Sequence, residues 1–297
     1  MEIVGNEETR RNPMHIAPLH PLLAAEATDV DLAALDDASF EALKTAFETH
    51  SVLVLRDQQI SPAVQIAFSR RLGELEIHVL SQFLLPGAPE ILLVSNEKRD
   101  GKNIGLADAG HYWHSDLSYL AEPSLGSALH AQILPRDGGD TLFASQHAAY
   151  DGLPEAIKTQ IAHLEAEHSY AFRMDILTAS GTRAPLTEAQ RAAVPPVVHP
   201  VVRVHPATGR RALFVSEGFT SRILGVSEEE SRRLLDILFA ATKASEVTYR
   251  HQWQPHDMVL WDNRAVQHLA TGCPPDQART LYRTTIRGDR PVGPAAI

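Results

Sequence analysis

From about residue 90 onward the chain is a succession of short apolar runs broken by Gly, Pro and Asp, and nothing else in it constrains the fold as strongly. The runs are "EILLVS", "SALHAQIL", "DTLFAS", "HPVVRVH", "RALFVSE", "EVTYRHQW", "DMVLWD" and "RTLYRTTIRG". Each has strand length, most carry β-branched or aromatic residues, and turn formers separate them. Many short strands cannot bury their apolar faces in one open layer. The expected class is therefore mainly β with flanking helices, a sandwich or jelly roll with the helices packed outside. Two helical insertions interrupt the runs, "LPEAIKTQIAHLEAEH" and "SEEESRRLLDILFAAT", and Ser227 with Glu230 forms a capping-box pattern at the start of the second. The N-terminal part is mixed. Asp37 is placed to cap a helix bearing Phe40, Leu43 and Phe47 on one face, "SVLVLRDQ" reads as a buried strand, and Pro62 opens a second helix through Ala67, Phe68 and Leu72.

At 297 residues the expectation is one domain spanning 1–297, with 1–14 and 288–297 as loose ends. The segments 97–112 and 172–197 are polar or Pro-rich with little periodicity, and read as lid loops at the mouth of a site. A hydrophobic content of 44% supports a real core. The net charge of -10 speaks against nucleic acid or an anionic membrane as partner, and no apolar run is long enough to span a bilayer. A polar start and a single cysteine, Cys273, fit a reducing cytoplasm.

The stretch "HYWHSDLSYL" sets His114 two residues before Asp116. Alone, the triplet means little in a chain with 15 histidines and 37 acidic residues. Its weight comes from "VLWDNRAVQHLATGCPPDQARTLYRTT", where His268 follows a strand 154 residues later (268 − 114). Two histidines and one carboxylate on a common face hold Fe(II) in non-haem oxygenases and leave neighbouring positions open. Read as a strand, 114–116 puts both side chains on one side. Arg279 follows His268 by eleven positions (279 − 268) and Arg283 by four more, so that with "RTLYR" as a strand both guanidinium groups can face one cavity. A planar guanidinium is the natural partner of a carboxylate. Gly138-Gly139 makes a tight turn that delivers Thr141 onto a strand, where its hydroxyl can donate to a bound acid.

The motifs "WHSD", "GGDTLF", "HPVVRVHP", "ALFVSEGFTSRI" and "WDNRAVQH", with the step to Arg279, occur in the order of the taurine/2,4-D dioxygenase family of Fe(II)- and 2-oxoglutarate-dependent enzymes, which the chain resembles from about residue 15 to 290. The resemblance implies a double-stranded β-helix, the cupin-like jelly roll, with iron near one open end. It implies that His114, Asp116 and His268 bind Fe(II), that Thr141 and Arg279 hold the distal carboxylate of 2-oxoglutarate, and that Arg283 approaches the keto acid end and the substrate. The chemistry implied is hydroxylation of an aliphatic C–H by O2, with 2-oxoglutarate decarboxylated to succinate and CO2. A homo-oligomer, dimer or tetramer, is the family's common state.

The substrate expected is a small organic anion, an alkyl sulfonate such as taurine first, with a sulfate ester or an aryloxyalkanoate as the alternative. His78 matches a substrate-contacting position of the taurine enzymes, although a structural histidine fits there equally well. Phe219 either lines the substrate cavity or packs in the core. Ser81 and Gly110 depart from the taurine pattern by being short where a tyrosine and an asparagine stand, which suggests a roomier cavity. Two rival readings are a metal-dependent hydrolase, which would need no acid pocket of Thr141, Arg279 and Arg283, and a cupin-like binding protein without turnover.

Overall fold

The computed structural model describes residues 13–107 and 110–295. Its main sheet has nine strands. The order is His15–Pro18, Ala25–Thr28, Val52–Leu55, Met258–Asp262, Gly126–Ile133, Thr280–Ile286, Ala88–Ser95 and Leu84–Leu85, and Leu75–Glu76 pairs with one end of Thr280–Ile286. Pairing is antiparallel except between Ala25–Thr28 and Val52–Leu55. A smaller sheet of Thr248–His251, Thr141–Ser145 and Val266–Ala270 packs on its inner face. Gly126–Ile133 and Met258–Asp262 lie in the large sheet, whereas the strands that follow each, Thr141–Ser145 and Val266–Ala270, lie in the small one. That alternation between facing sheets is a jelly roll.

The continuous run "VLVL" becomes intelligible here, because this strand is buried on both faces. Val52 and Val54 point inward with Val259, Trp261, Leu129 and Leu281 to meet Phe143 and Val266 of the small sheet. Leu53 and Leu55 point outward with Met258 and Leu260, beneath Phe40, Leu43 and Phe47 of helix Asp37–His50 and Phe68 of helix Pro62–Leu72. Truncating one of these aromatics, such as Phe47, would cost about 3–5 kcal/mol. A further core joins helix Glu228–Thr242, through Leu234, Leu235 and Leu238, to Ile161, Ala166, Leu213 and Ile223. No helix among the described residues is long and apolar enough to cross a membrane.

Several sequence expectations need correction. Asp36, not Asp37, caps the first helix, its carboxylate accepting from the Ser39 N–H at 2.7 Å. Ser227 caps Glu228–Thr242, yet the reciprocal half of the capping box is missing because Glu230 pairs with Arg233 and Gln160. The insertion from 153 is helical only over Glu155–Ile161. Its end, Glu165–His168, is the central strand of a three-stranded sheet with Val197–Pro200 and Thr220–Ile223. The segment 172–197 contains most of helix Tyr170–Ala179 and all of Glu188–Ala193, the latter with a complete Thr187/Gln190 capping box. The described residues of the segment 97–112, which are 97–107 and 110–112, are largely irregular apart from the small pair Lys98–Arg99 and Lys102–Asn103. Of the ends expected to be loose, 1–12 and 296–297 lie outside the described residues. Met14 packs on the core, and Val292 accepts a bond from the Val204 N–H at 2.8 Å.

Candidate active site

His268 sits mid-strand in Val266–Ala270, opposite Phe143. His114 lies on no regular strand, contrary to the alternation argument. It makes a single bridge with His268 in which each backbone N–H donates to the other's carbonyl, at 3.2 and 2.9 Å. This brings the two imidazole rings to a centroid distance of 4.2 Å. After His114 the chain turns, with Leu117 in the left-handed region at φ 57°, and the turn rather than a strand presents Asp116. Asp116 Oδ1 lies 3.6 Å from His114 Nε2 and 3.7 Å from His268 Nε2. All three side chains are buried, and their candidate ligand atoms fall within 4.8 Å of one another.

The surroundings prepare these groups for a cation. His114 Nδ1 is 2.8 Å from the Tyr112 carbonyl, which can only accept, so the proton sits on Nδ1 and the Nε2 lone pair is free. Asp116 Oδ2 forms an ion pair with Arg283 at 2.8 Å and accepts from Ser127 at 3.1 Å and Asn263 at 3.2 Å. Oδ1 is left facing the histidines. Burial opposes ionisation of Asp116, but Arg283, then His268 and His114, hold it well below the usual carboxylate range. Burial, then the neighbouring His114, pushes His268 well below the usual imidazole range. An ionised carboxylate and a neutral imidazole are the states metal ligation requires. Two nitrogens and one oxygen converging from one side fit Fe(II) with positions to spare.

Beside this cluster is a cavity of about 180 Å³ lined by Asn96, His111, Ala270, Cys273 and Arg279, among others. Ala270 is two residues past His268 on the same strand face, so the cavity adjoins the cluster. Arg279 pairs with no carboxylate among the described residues. Its Nε donates to the Gly139 carbonyl at 3.1 Å, and burial lowers it to about 10, which leaves it charged at neutral pH. Gly138 and Gly139 both have positive φ, as the tight turn requires, and a Cβ on Gly139 would lie 3.2 Å from Arg279 Nε. Thr141 follows as the first residue of its strand, paired with Ala270. Its Oγ accepts from Trp253 Nε1 at 3.1 Å, which leaves its own O–H to donate elsewhere.

Arg283 does not line that cavity, whereas the sequence placed both guanidinium groups toward one cavity. Four residues of extended chain carry it ~13 Å from Arg279, onto Asp116 and Ser127, with its guanidinium carbon 5.7 Å from the Trp261 ring. Its Nε is buried with no hydrogen-bond partner among the described residues. His78 is half-buried near Arg283, and burial first, then Arg283, lowers its pKa. The Leu80 N–H donates to His78 Nδ1 at 3.1 Å, so a neutral His78 carries its proton on Nε2. Phe219 is buried in an aromatic wall. It lies 4.9 Å from Tyr119 and 5.8 Å from Tyr112, and Tyr112 in turn lies 4.7 Å from His114. Tyr170 joins at 5.1 Å from Tyr119, and Arg173 stacks on Tyr112 at 3.7 Å. Trp261 packs 4.8 Å from His268. Asn263, Ser127, Tyr112 and Tyr119 escaped the sequence reading. All four stand inside runs quoted there, Tyr112 and Tyr119 in "HYWHSDLSYL", Ser127 in "SALHAQIL" and Asn263 in "WDNRAVQH", but nothing in their spacing marked a role.

Residues 15–285 match the model of the "Taurine catabolism dioxygenase TauD, TfdA family". The chain is 37% identical to the alpha-ketoglutarate-dependent 2,4-dichlorophenoxyacetate dioxygenase of Cupriavidus pinatubonensis, over 93% of this chain and 98% of that one. It is 35% identical to the (S)-phenoxypropionate/alpha-ketoglutarate-dioxygenase of Sphingobium herbicidovorans, over 92% of this chain and 95% of that one. A taurine dioxygenase from Burkholderia xenovorans superposes with a TM-score of 0.78 at 30% identity, covering 95% of this chain and 91% of that one. Fold, site and matches together define a 2-oxoglutarate-dependent dioxygenase, an oxidoreductase that uses Fe(II) and O2. The chain belongs to the taurine catabolism dioxygenase TauD, TfdA family.

Proposed function

We propose that the chain acts as one dioxygenase domain that hydroxylates a small organic anion carrying an aromatic group, in the first place an aryloxyalkanoate. His114, Asp116 and His268 would hold Fe(II), which when bound supplies activation of O2 coupled to decarboxylation of 2-oxoglutarate. Arg279 and Thr141 would fix the distal carboxylate of the cosubstrate, because Arg279 is a cation in a cavity with no carboxylate of its own. Arg283, which is ion-paired with Asp116, would turn an N–H to the substrate anion, and His78 Nε2–H would supply a second donor. Holding the target C–H close to the metal face is the chain's main contribution to rate.

The observation that carries the substrate class is the aromatic wall of Tyr112, Tyr119, Tyr170 and Phe219 beside His114. Such a wall offers offset and edge contacts to an aryl ring, worth about 0.5–1.5 kcal/mol each beyond burial. An alkyl sulfonate or sulfate ester would use the same cations but gain little from it. The two relatives that act on aryloxy acids by name support the same choice. Hydroxylation of the carbon beside the ether oxygen gives a hemiacetal, which collapses to a phenol and an oxo acid. The test is 2-oxoglutarate-dependent oxygen uptake, with phenol release, across aryloxyacetates, aryloxypropionates, alkyl sulfonates including taurine, alkyl sulfates and neutral aryl ethers. Aryloxy acids should be turned over best, and Arg283→Gln should depress their use. A preference for taurine, or for a neutral ether at a rate indifferent to Arg283→Gln, would overturn the reading.

A further inference from the structure

Asp116 is gripped from two directions by a single neutral side chain. Asn263 Oδ1 accepts from the Asp116 backbone N–H at 3.2 Å, and Asn263 Nδ2 donates to Asp116 Oδ2 at 3.2 Å. The amide cannot be turned over. Its Oδ1 also accepts from Trp261 Nε1 at 3.1 Å, and its Nδ2 also meets Ser124 Oγ at 2.6 Å, so the flipped form would set two N–H groups against donors and its oxygen against a carboxylate. Asn263 is itself held fast. Its N–H donates to the Leu125 carbonyl at 2.9 Å, and the preceding Asp262 is fully buried beneath His205 and Arg264, at 2.9 and 2.6 Å.

We infer that Asn263 is a positioning residue that keeps Asp116 turned so that only Oδ1 faces the metal. This rests on the assignment of His114, Asp116 and His268 as ligands. A free carboxylate can rotate and offer both oxygens, which would consume a coordination position that the keto acid or O2 needs. Oδ2 has three partners, the Arg283 ion pair and two hydrogen-bond donors, and they are not equivalent. Arg283 also faces the substrate side, and its attraction to Asp116 weakens once an anion shares it. Ser127 is a lone hydroxyl whose partner can change with rotation. Asn263 is fixed at both ends, by Trp261 and Ser124, and bonds the backbone and the carboxylate of Asp116 together. It therefore holds the orientation through every state of Arg283.

The test uses Co(II) alone, titrated into the full-length chain, reading affinity and the intensity of the visible d–d bands, which fall as coordination number rises. Asn263→Asp keeps the acceptor for the Asp116 N–H but replaces the Nδ2 donor with an oxygen. It should weaken Co(II) binding about 10–100-fold and change the band intensity, while Ser127→Ala changes both far less. Asn263→Ala carries the same readout if the aspartate variant does not fold. His268→Ala is the separate control, and retention of wild-type Co(II) binding by it would remove the ligand assignment itself. If His268→Ala loses the metal but a folded Asn263 variant keeps wild-type affinity and bands, with only its melting temperature lowered, Asn263 is a fold residue and the inference is wrong.

Discussion

Replacing Arg279 with alanine should uncouple the enzyme from one end of its cosubstrate. The guanidinium lies in a cavity of about 180 Å³, has no carboxylate partner among the described residues, and is held by a single bond to the Gly139 carbonyl. Truncating one partner of a desolvated, hydrogen-bonded ion pair costs about 2–5 kcal/mol. At about 1.4 kcal/mol per decade this is a loss of roughly 30- to 4000-fold in 2-oxoglutarate affinity. The assay is anaerobic equilibrium binding in the presence of Fe(II), run in parallel with 2-oxobutyrate, a keto acid without the distal carboxylate. The wild-type chain should prefer 2-oxoglutarate by about the factor that the variant loses, and Arg279→Ala should bind the two acids alike. Undiminished discrimination in the variant would refute the argument, because the distal carboxylate would then be held elsewhere.

His114→Ala, Asp116→Ala and His268→Ala should each abolish turnover while far-UV circular dichroism stays that of the wild type, since the jelly roll is closed by strand pairing and not by these side chains. Gly139→Ala forces a Cβ into a residue at φ 78°, 2.8 Å from Pro135 Cγ and 3.2 Å from Arg279 Nε. Strain of about 1–3 kcal/mol follows, and the KM for 2-oxoglutarate should rise more than kcat falls. Asp262→Ala strands the buried Arg264 and His205, and should lower the urea-unfolding free energy by about 3–5 kcal/mol. Burial opposes the charge of Asp262, but Arg264 and then His205 hold its pKa far below the unfolded value. Its contribution is therefore complete above about pH 4 and is lost as pH falls further, so the wild type should lose more stability in acid than Asp262→Ala does.

What could be read from the chain divides along physical lines. The strands of the jelly roll were legible because apolar β-branched residues sit in them whichever face they serve, as in Val52–Leu55 and Met258–Asp262. Glu165–His168 was not, since "EAEH" has helical composition and becomes a strand only by pairing with Val197–Pro200 and Thr220–Ile223. The two helices within 172–197 were hidden by low amphipathicity, although Thr187 three residues before Gln190 was a readable cap. In the site, the spacing of His114, Asp116, His268 and Arg279 carried the expectation that the folded chain brings together. The separate stations of Arg279 and Arg283 needed the strand's actual rise. The grip of Asn263 on Asp116 spans 147 residues and leaves no local pattern at all.

The bridge between His114 and His268 has a kinetic meaning as well as a geometric one. It closes a loop of 154 residues (268 − 114), for which the chain-length part of the closure entropy is about 4–5 kcal/mol at room temperature. The strands on either side meet that cost through their own backbone bonds, so an arriving ion finds its nitrogen donors already neighbours. Contacts this distant in sequence form late in folding, and an ion that fastens them adds to the native state more than to the transition state. Bound metal should therefore slow unfolding while leaving the refolding rate almost untouched.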